Sequence, residues 1–158
     1  MSDLNGIITD VIEREGPPSN DKDDKGGRTA FGISERSHPS AWADGKVTED
    51  EAREIYLQKY VKGPGFDRVP EPLRSQLVDW GVNSGPLLAI MELQRVLGVT
   101  ADGIIGPQTL GAIEAASASL NNQLVASRVR MIGRIVKRDP TQLKWINGWL
   151  NRALEFLV

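Results

Sequence analysis

Apolar residues recur at three- and four-residue intervals along most of this 158-residue chain, and no long stretch alternates apolar with polar. An amphipathic helix needs the first pattern and a half-buried strand the second, so the fold is restricted to the mainly α class. Cut at its glycines and prolines, the pattern predicts about seven or eight helices with at most a small β-hairpin. One compact domain over 1–158 is expected, with residues 1–70 as a helix-and-loop portion and residues 71–158 as a helical portion integrated with it.

Residues 3–15 form the first helix, with Leu4, Ile7, Ile8, Val11 and Ile12 on one face. Residues 16–34 form a Gly/Pro/Asp-rich loop with room for a short hairpin through 29–33. Ser34-Glu35-Arg36 begins a short helix that Pro39 stops. Thr48 and Glu51 have capping-box spacing and open a helix that runs to about Tyr60. Gly63-Pro64-Gly65 breaks the chain. Pro70 and Pro72 open the next helix, and Asn83-Ser84-Gly85-Pro86 ends it and starts another, which stops at Gly98. Gly106-Pro107 begins a helix with proline at a tolerated first position.

Residues 121–138 form a basic amphipathic helix, with Leu124, Val125, Val129, Met131, Ile132, Ile135 and Val136 opposite Arg130, Arg134, Lys137 and Arg138. The basic face suits either solvent or an anionic membrane surface. Asp139-Pro140 stops it. The last helix, about 140–156, has Trp145, Ile146, Trp149, Leu150 and Leu154 on more than one side, which predicts burial between neighbours.

Glu15 is unusual among the carboxylates. At about 100° per residue it falls near the centre of the first helix's apolar face, roughly 20° from Leu4, whereas Glu13 lies roughly 160° away. Glu15 is therefore expected to point into the protein or a cleft. There, lost hydration would favour its protonated form, as general acid catalysis of glycoside cleavage requires. The alternative is a helix-end carboxylate that reaches solvent.

The loop that follows carries Asp21, Asp23 and Asp24, then Gly26-Gly27, Thr29 and Gly32. Paired glycines allow a close approach to a ligand. A second carboxylate facing the first, with a hydroxyl to hold a water, is the equipment of a two-carboxylate hydrolase. The alternatives are a solvated acidic turn or a loose calcium loop, but the spacing does not fit an EF-hand. Downstream, Tyr56 and Tyr60 suit either core packing or stacking on sugar rings. Asn83 suits either a helix cap or an acetamido group, which it can both donate to and accept from. Asp79, one turn earlier, could support Asn83 or form an ion pair.

The chain has no cysteine and one histidine, His38, so disulfides, thiolate metal sites and multi-histidine zinc chemistry have no basis. A net charge of −2 gives no general attraction to nucleic acid. The start lacks the basic and apolar regions of a signal peptide, and no stretch approaches the ~20 apolar residues of a membrane span.

The run E-G, then D-K-G-G-R-T-A-F-G-I-S, resembles the Glu-Gly … Asp-x-Gly-Gly-x-Thr-x-x-Gly-Ile-Thr signature of glycoside hydrolase family 108, N-acetylmuramidases that include many phage endolysins. D-W-G-V-N-S-G-P, followed by L-Q-R-V-L-G-V-T-A-D-G-I-I-G-P-Q-T-L, is similar to the peptidoglycan-binding segment that completes these proteins. The resemblance spans nearly the whole chain. It implies a lysozyme-like helical fold, with catalysis in residues 1–70 and peptidoglycan binding in 71–158. It places the catalytic acid on Glu15, the second acidic residue on Asp24 and the water-managing threonine on Thr29. Gly27, Tyr60 and Asn83 are the expected substrate-binding residues from the reading of the side chains and loop. Where the family usually has a second glycine and an aromatic after the Glu, this chain has Pro17-Pro18, which leaves Asp21 and Asp23 as alternatives to Asp24.

The implied activity is hydrolysis of the β-1,4 bond between N-acetylmuramic acid and N-acetylglucosamine, without metal or cofactor. Bacterial peptidoglycan is the expected partner; no nucleic acid, no stable membrane insertion and a monomeric state are expected. The implied location is the host cytoplasm, with release to the wall by a holin-type helper. A non-catalytic wall-binding module, a lytic transglycosylase and a bacterial cell-wall toxin are the competing readings.

Overall fold

The computed structural model describes residues 4–15 and 27–158, which divide at Gly63–Pro64 into two compact units. The protein is mainly α. Among the described residues there are seven α-helices and one two-stranded antiparallel sheet.

In the first unit, α1 spans Leu4–Glu15 and buries Ile7, Ile8, Val11 and Ile12, the predicted face. Burying side chains of this size contributes roughly 1.5–3 kcal/mol each, so this stripe fixes how α1 sits. Strands β1 (Thr29–Ala30) and β2 (Ile33–Ser34) pair as Thr29↔Ser34 and Ala30↔Ile33. The two residues between them, Phe31 and Gly32, have φ of 52° and 76°. Two positive φ values are what a tight two-residue hairpin with native twist requires. Ser34 is therefore in a strand and does not begin a helix. Pro39 opens a 3₁₀ segment, Pro39–Trp42, instead of stopping one. Proline suits a first helical position because it lacks the N–H that would go unused there.

Helix α2 spans Glu49–Tyr56 and starts at the predicted capping box. The amide of Glu51 donates to Thr48 Oγ1 at 3.3 Å, and the amide of Thr48 donates to Glu51 Oε2 at 2.7 Å. Arg53 on α2 donates to Thr9 Oγ1 on α1 at 3.0 Å, fixing the two helices against each other. From Leu57 to Lys62 the helix widens into a π-helical turn, closed by the Gly63 amide on Gln58 O at 2.8 Å.

The second unit is built from α3 (Leu73–Ser84), α4 (Pro86–Leu97), α5 (Pro107–Ala115), α6 (Leu120–Arg138) and α7 (Ile146–Leu154). Helix α4 packs on α3, α5 and α6, and α6 packs on α7. Trp80, Leu77, Leu93 and Leu124 form the centre of its core. Helix α4 ends at Gly98 with φ 71°, the predicted stop.

The D-G-I-I-G-P-Q-T corner is held by a residue outside it. Buried Gln94 on α4 donates from Nε2 to Asp102 Oδ1 (2.7 Å), Ile104 O (3.0 Å) and Thr109 Oγ1 (3.1 Å), and accepts from the Gly103 amide (2.9 Å).

The C-terminal segment departs from the expected single buried helix. It opens with a 3₁₀ stretch, Pro140–Trp145, capped by Asp139 on the Thr141 amide. Trp145 is 54% exposed and Leu154 46% exposed, and Ala153 is the one fully buried residue of α7. Its apolar residues spread around the helix, which packs on α6 and on the 3₁₀ stretch before it and leaves Leu154 toward solvent.

Candidate functional site

Glu15 is the last residue of α1, and its side chain is exposed. The face position set its direction, but solvent reaches it because the helix ends there. What it lies against is specific. A methyl group placed on Gly32 would sit 2.8 Å from Glu15 Cγ and 3.1 Å from its Cβ. The same methyl would overlap the Tyr56 hydroxyl oxygen. The tip of the hairpin is thus wedged between the stem of Glu15 and the end of Tyr56. Tyr56 is almost wholly buried, and its hydroxyl donates to Phe31 O at 2.9 Å, on the other residue of the same turn.

Thr29 opens β1 at the far end of the hairpin and is half-buried. Gly27 precedes it with φ 72° and is exposed. Between them, Arg28 pairs with Glu35 across the hairpin's open end. Tyr60, on the π turn, is half-buried, with its ring centroid 5.7 Å from that of Tyr56. The structure therefore brings Glu15, the hairpin tip and Tyr56 together, with Tyr60 beside Tyr56. Asp24 and its alternatives Asp21 and Asp23 lie outside the described residues. His38 is a loop residue at the start of the 3₁₀ segment. Lys59 Nζ lies 3.3 Å from its Nε2, and burial first and Lys59 second hold its pKa below the usual histidine range.

In the second unit, Asn83 is exposed in the last turn of α3 and caps neither α3 nor α4. Together with Ser84, Arg128, Met131, Ile132, Ile135 and Trp149 it lines a cavity of about 200 Å³. Behind the cavity, Asp79 takes the ion-pair role. Its Oδ2 is 2.8 Å from Arg128 on α6, and its Oδ1 accepts from Arg152 on α7 at 3.0 Å. Asp79 and Arg128 are both 2% exposed at the side chain. Arg128 also lies over the rings of Trp80 (5.6 Å) and Phe156 (5.9 Å). Sequence reasoning missed Arg128, although a signal existed: it stands one turn from both Leu124 and Ile132, on the apolar face.

Among the described residues, no group of three or more His, Asp or Glu side chains is placed to hold a metal ion. No helix among them is long and apolar enough to cross a membrane.

In the first unit a helix-end carboxylate lies against a glycine hairpin, and a helical unit follows it in the chain. The profile of the "Glycosyl hydrolase 108" family matches residues 8–85, and that of the family described as "Predicted Peptidoglycan domain" matches residues 88–154. The chain belongs to the glycosyl hydrolase 108 family, with a peptidoglycan domain following the hydrolase domain, and is a glycoside hydrolase that degrades peptidoglycan. Among solved structures it is similar to that of Brucella abortus SagA, with 29% identity and a TM-score of 0.78 over 97% of this chain and 90% of that one. No curated protein sequence matches the chain.

Proposed function

We propose that this chain is an N-acetylmuramidase of the endolysin type, cleaving the β-1,4 bond between N-acetylmuramic acid and N-acetylglucosamine. The observation that carries the reading is Glu15 seated on the Gly32 hairpin tip, inside the segment that matches the glycosyl hydrolase 108 family. Glu15 donates its proton to the glycosidic oxygen as an oxocarbenium-like centre develops on the sugar. Asp24 stabilises that centre or activates water, and Thr29 positions the water. Tyr60 and Gly27 contact substrate. Asn83, beside the cavity of the second unit, holds an acetamido group.

The protein acts as a monomer. It is made in the cytoplasm of a phage-infected host and reaches the wall through a holin-type opening.

Mass spectrometry of products from purified peptidoglycan tests the reading, with wild type and Glu15→Gln run in parallel. Reducing N-acetylmuramic acid ends from wild type, and none from the variant, are expected. Anhydro ends would make it a lytic transglycosylase. Near-normal activity in Asp24→Ala together with loss in Asp21→Ala would move the second role to Asp21.

A further inference from the structure

We propose that Tyr56 is a positioning residue for the Glu15 carboxyl group, acting through the Gly32 hairpin tip. This rests on the reading of Glu15 as the catalytic acid. Three elements converge on one point: the end of α1, the turn between β1 and β2, and the last residue of α2. A methyl group on Gly32 would overlap the Tyr56 hydroxyl and the Glu15 stem at once, so those two groups are neighbours across a backbone with no side chain.

Each part of this arrangement is fixed from behind. Tyr56 is 3% exposed, so its ring has no freedom to swing. Its hydroxyl donates to Phe31 O, which holds the turn against α2 at 2.9 Å. Phe31 has φ 52°, a left-handed conformation that a bulky residue adopts only when its surroundings impose it. Helix α1 is tied to α2 by the Arg53–Thr9 hydrogen bond. The Glu15 stem rests on the tip of the hairpin, and the Tyr56 hydroxyl holds that tip from behind. A general acid must be held close to its productive geometry, and a displacement of about 1 Å can cost up to about a hundredfold in rate.

The test uses Tyr56→Phe, which keeps the buried ring and removes the hydrogen bond to Phe31. One readout is steady-state kinetics on solubilised peptidoglycan. The other is NMR: the three-bond couplings that report the χ1 rotamers of Glu15, with Glu13 as internal control. The proposal expects kcat to fall about tenfold or more with KM within about twofold, the pattern of a lost transition-state contribution. It also expects Glu15 to pass from one dominant rotamer to an average while Glu13 is unchanged.

Unchanged Glu15 couplings in a folded Tyr56→Phe protein overturn the proposal, whatever the kinetics. If wild type releases no sugar products but its Glu15 couplings still respond to Tyr56→Phe, the positioning holds and the muramidase reading fails. Should Tyr56→Phe not fold, the wild-type couplings decide: one dominant Glu15 χ1 rotamer is expected beside an averaged Glu13, and averaged Glu15 couplings overturn the proposal.

Discussion

The Arg28 guanidinium holds both carboxylate oxygens of Glu35, at 3.0 and 2.8 Å, across the open end of the hairpin. The backbone adds a bond from the Glu35 amide to Arg28 O at 2.9 Å. Arg28 also donates to Gly45 O at 3.0 Å and lies over the Trp42 ring, whose Nε1 donates to Ile33 O. The hydrogen bond from Arg28 holds the Glu35 carboxyl below the usual carboxylate range. One side chain thus clamps the two strands that carry Thr29 and the Gly32 tip.

Arg28→Lys keeps the charge but loses the planar fork that engages both oxygens. Exchange of the hairpin amides, read by deuterium uptake, is expected to quicken about five- to tenfold, as on loss of one charge-assisted bond. Unchanged exchange would mean that the backbone ladder alone suffices.

Gly32→Ala combines a positive φ with overlap onto Tyr56 and Glu15. It is expected to lower stability by about 2–3 kcal/mol in urea denaturation. Gly133→Ala is the control, since its position in α6 is exposed and open. That change should raise stability by about 0.5–1 kcal/mol, because alanine favours a helix interior.

Asp79→Ala would strand the buried Arg128 guanidinium without the carboxylate it faces at 2.8 Å. Breaking a buried pair from one side costs about 3–5 kcal/mol, so this variant is expected to show the largest single loss in the second unit. Chemical denaturation reads it, and a loss within experimental error would mean that water replaces the carboxylate.

Besides Glu35, three further carboxylates among the described residues are held below their ordinary range. Glu51 is lowered by the Thr48 amide, Asp102 by the Ile104 amide, and Asp139 by the Thr141 hydroxyl. Groups with lowered folded values contribute stability that is complete above their unfolded values, about 3.9 for Asp and 4.3 for Glu. That stability is lost as pH falls through the lower folded values. Melting temperature is therefore expected to hold from about pH 6 to 5 and fall below about pH 4. Glu51→Gln should flatten part of that fall.

Much of this was legible in the chain, for local reasons. The α1 face, the capping box and the Gly98 stop each depend on neighbouring residues, and each sits where the sequence places it. The hairpin follows from a glycine set between Phe31 and Ile33, with Thr29 opening the first strand. What was not legible depends on partners distant in sequence. Periodicity marks Trp145 as apolar but does not say that about half of it stays exposed. It aims Glu15 along the apolar face but does not show where that face stops being covered. The overlap of Glu15 and Tyr56 on Gly32 joins residues from three elements, which no spacing rule connects. Asp24 follows from the motif alone, since it lies outside the described residues.

The Gln94 clamp makes the corner over residues 101–109 non-portable. Residues 101–109 look like a self-sufficient loop that could be grafted elsewhere. Yet the amide that holds Asp102, Gly103, Ile104 and Thr109 comes from the preceding helix. A transplant that begins after Gly98 would leave those groups to water, and circular dichroism of such a peptide should show no helix at 107–115. The smallest heritable unit of this corner therefore begins inside α4, and recombination that cuts at the Gly98 turn separates a lock from its key.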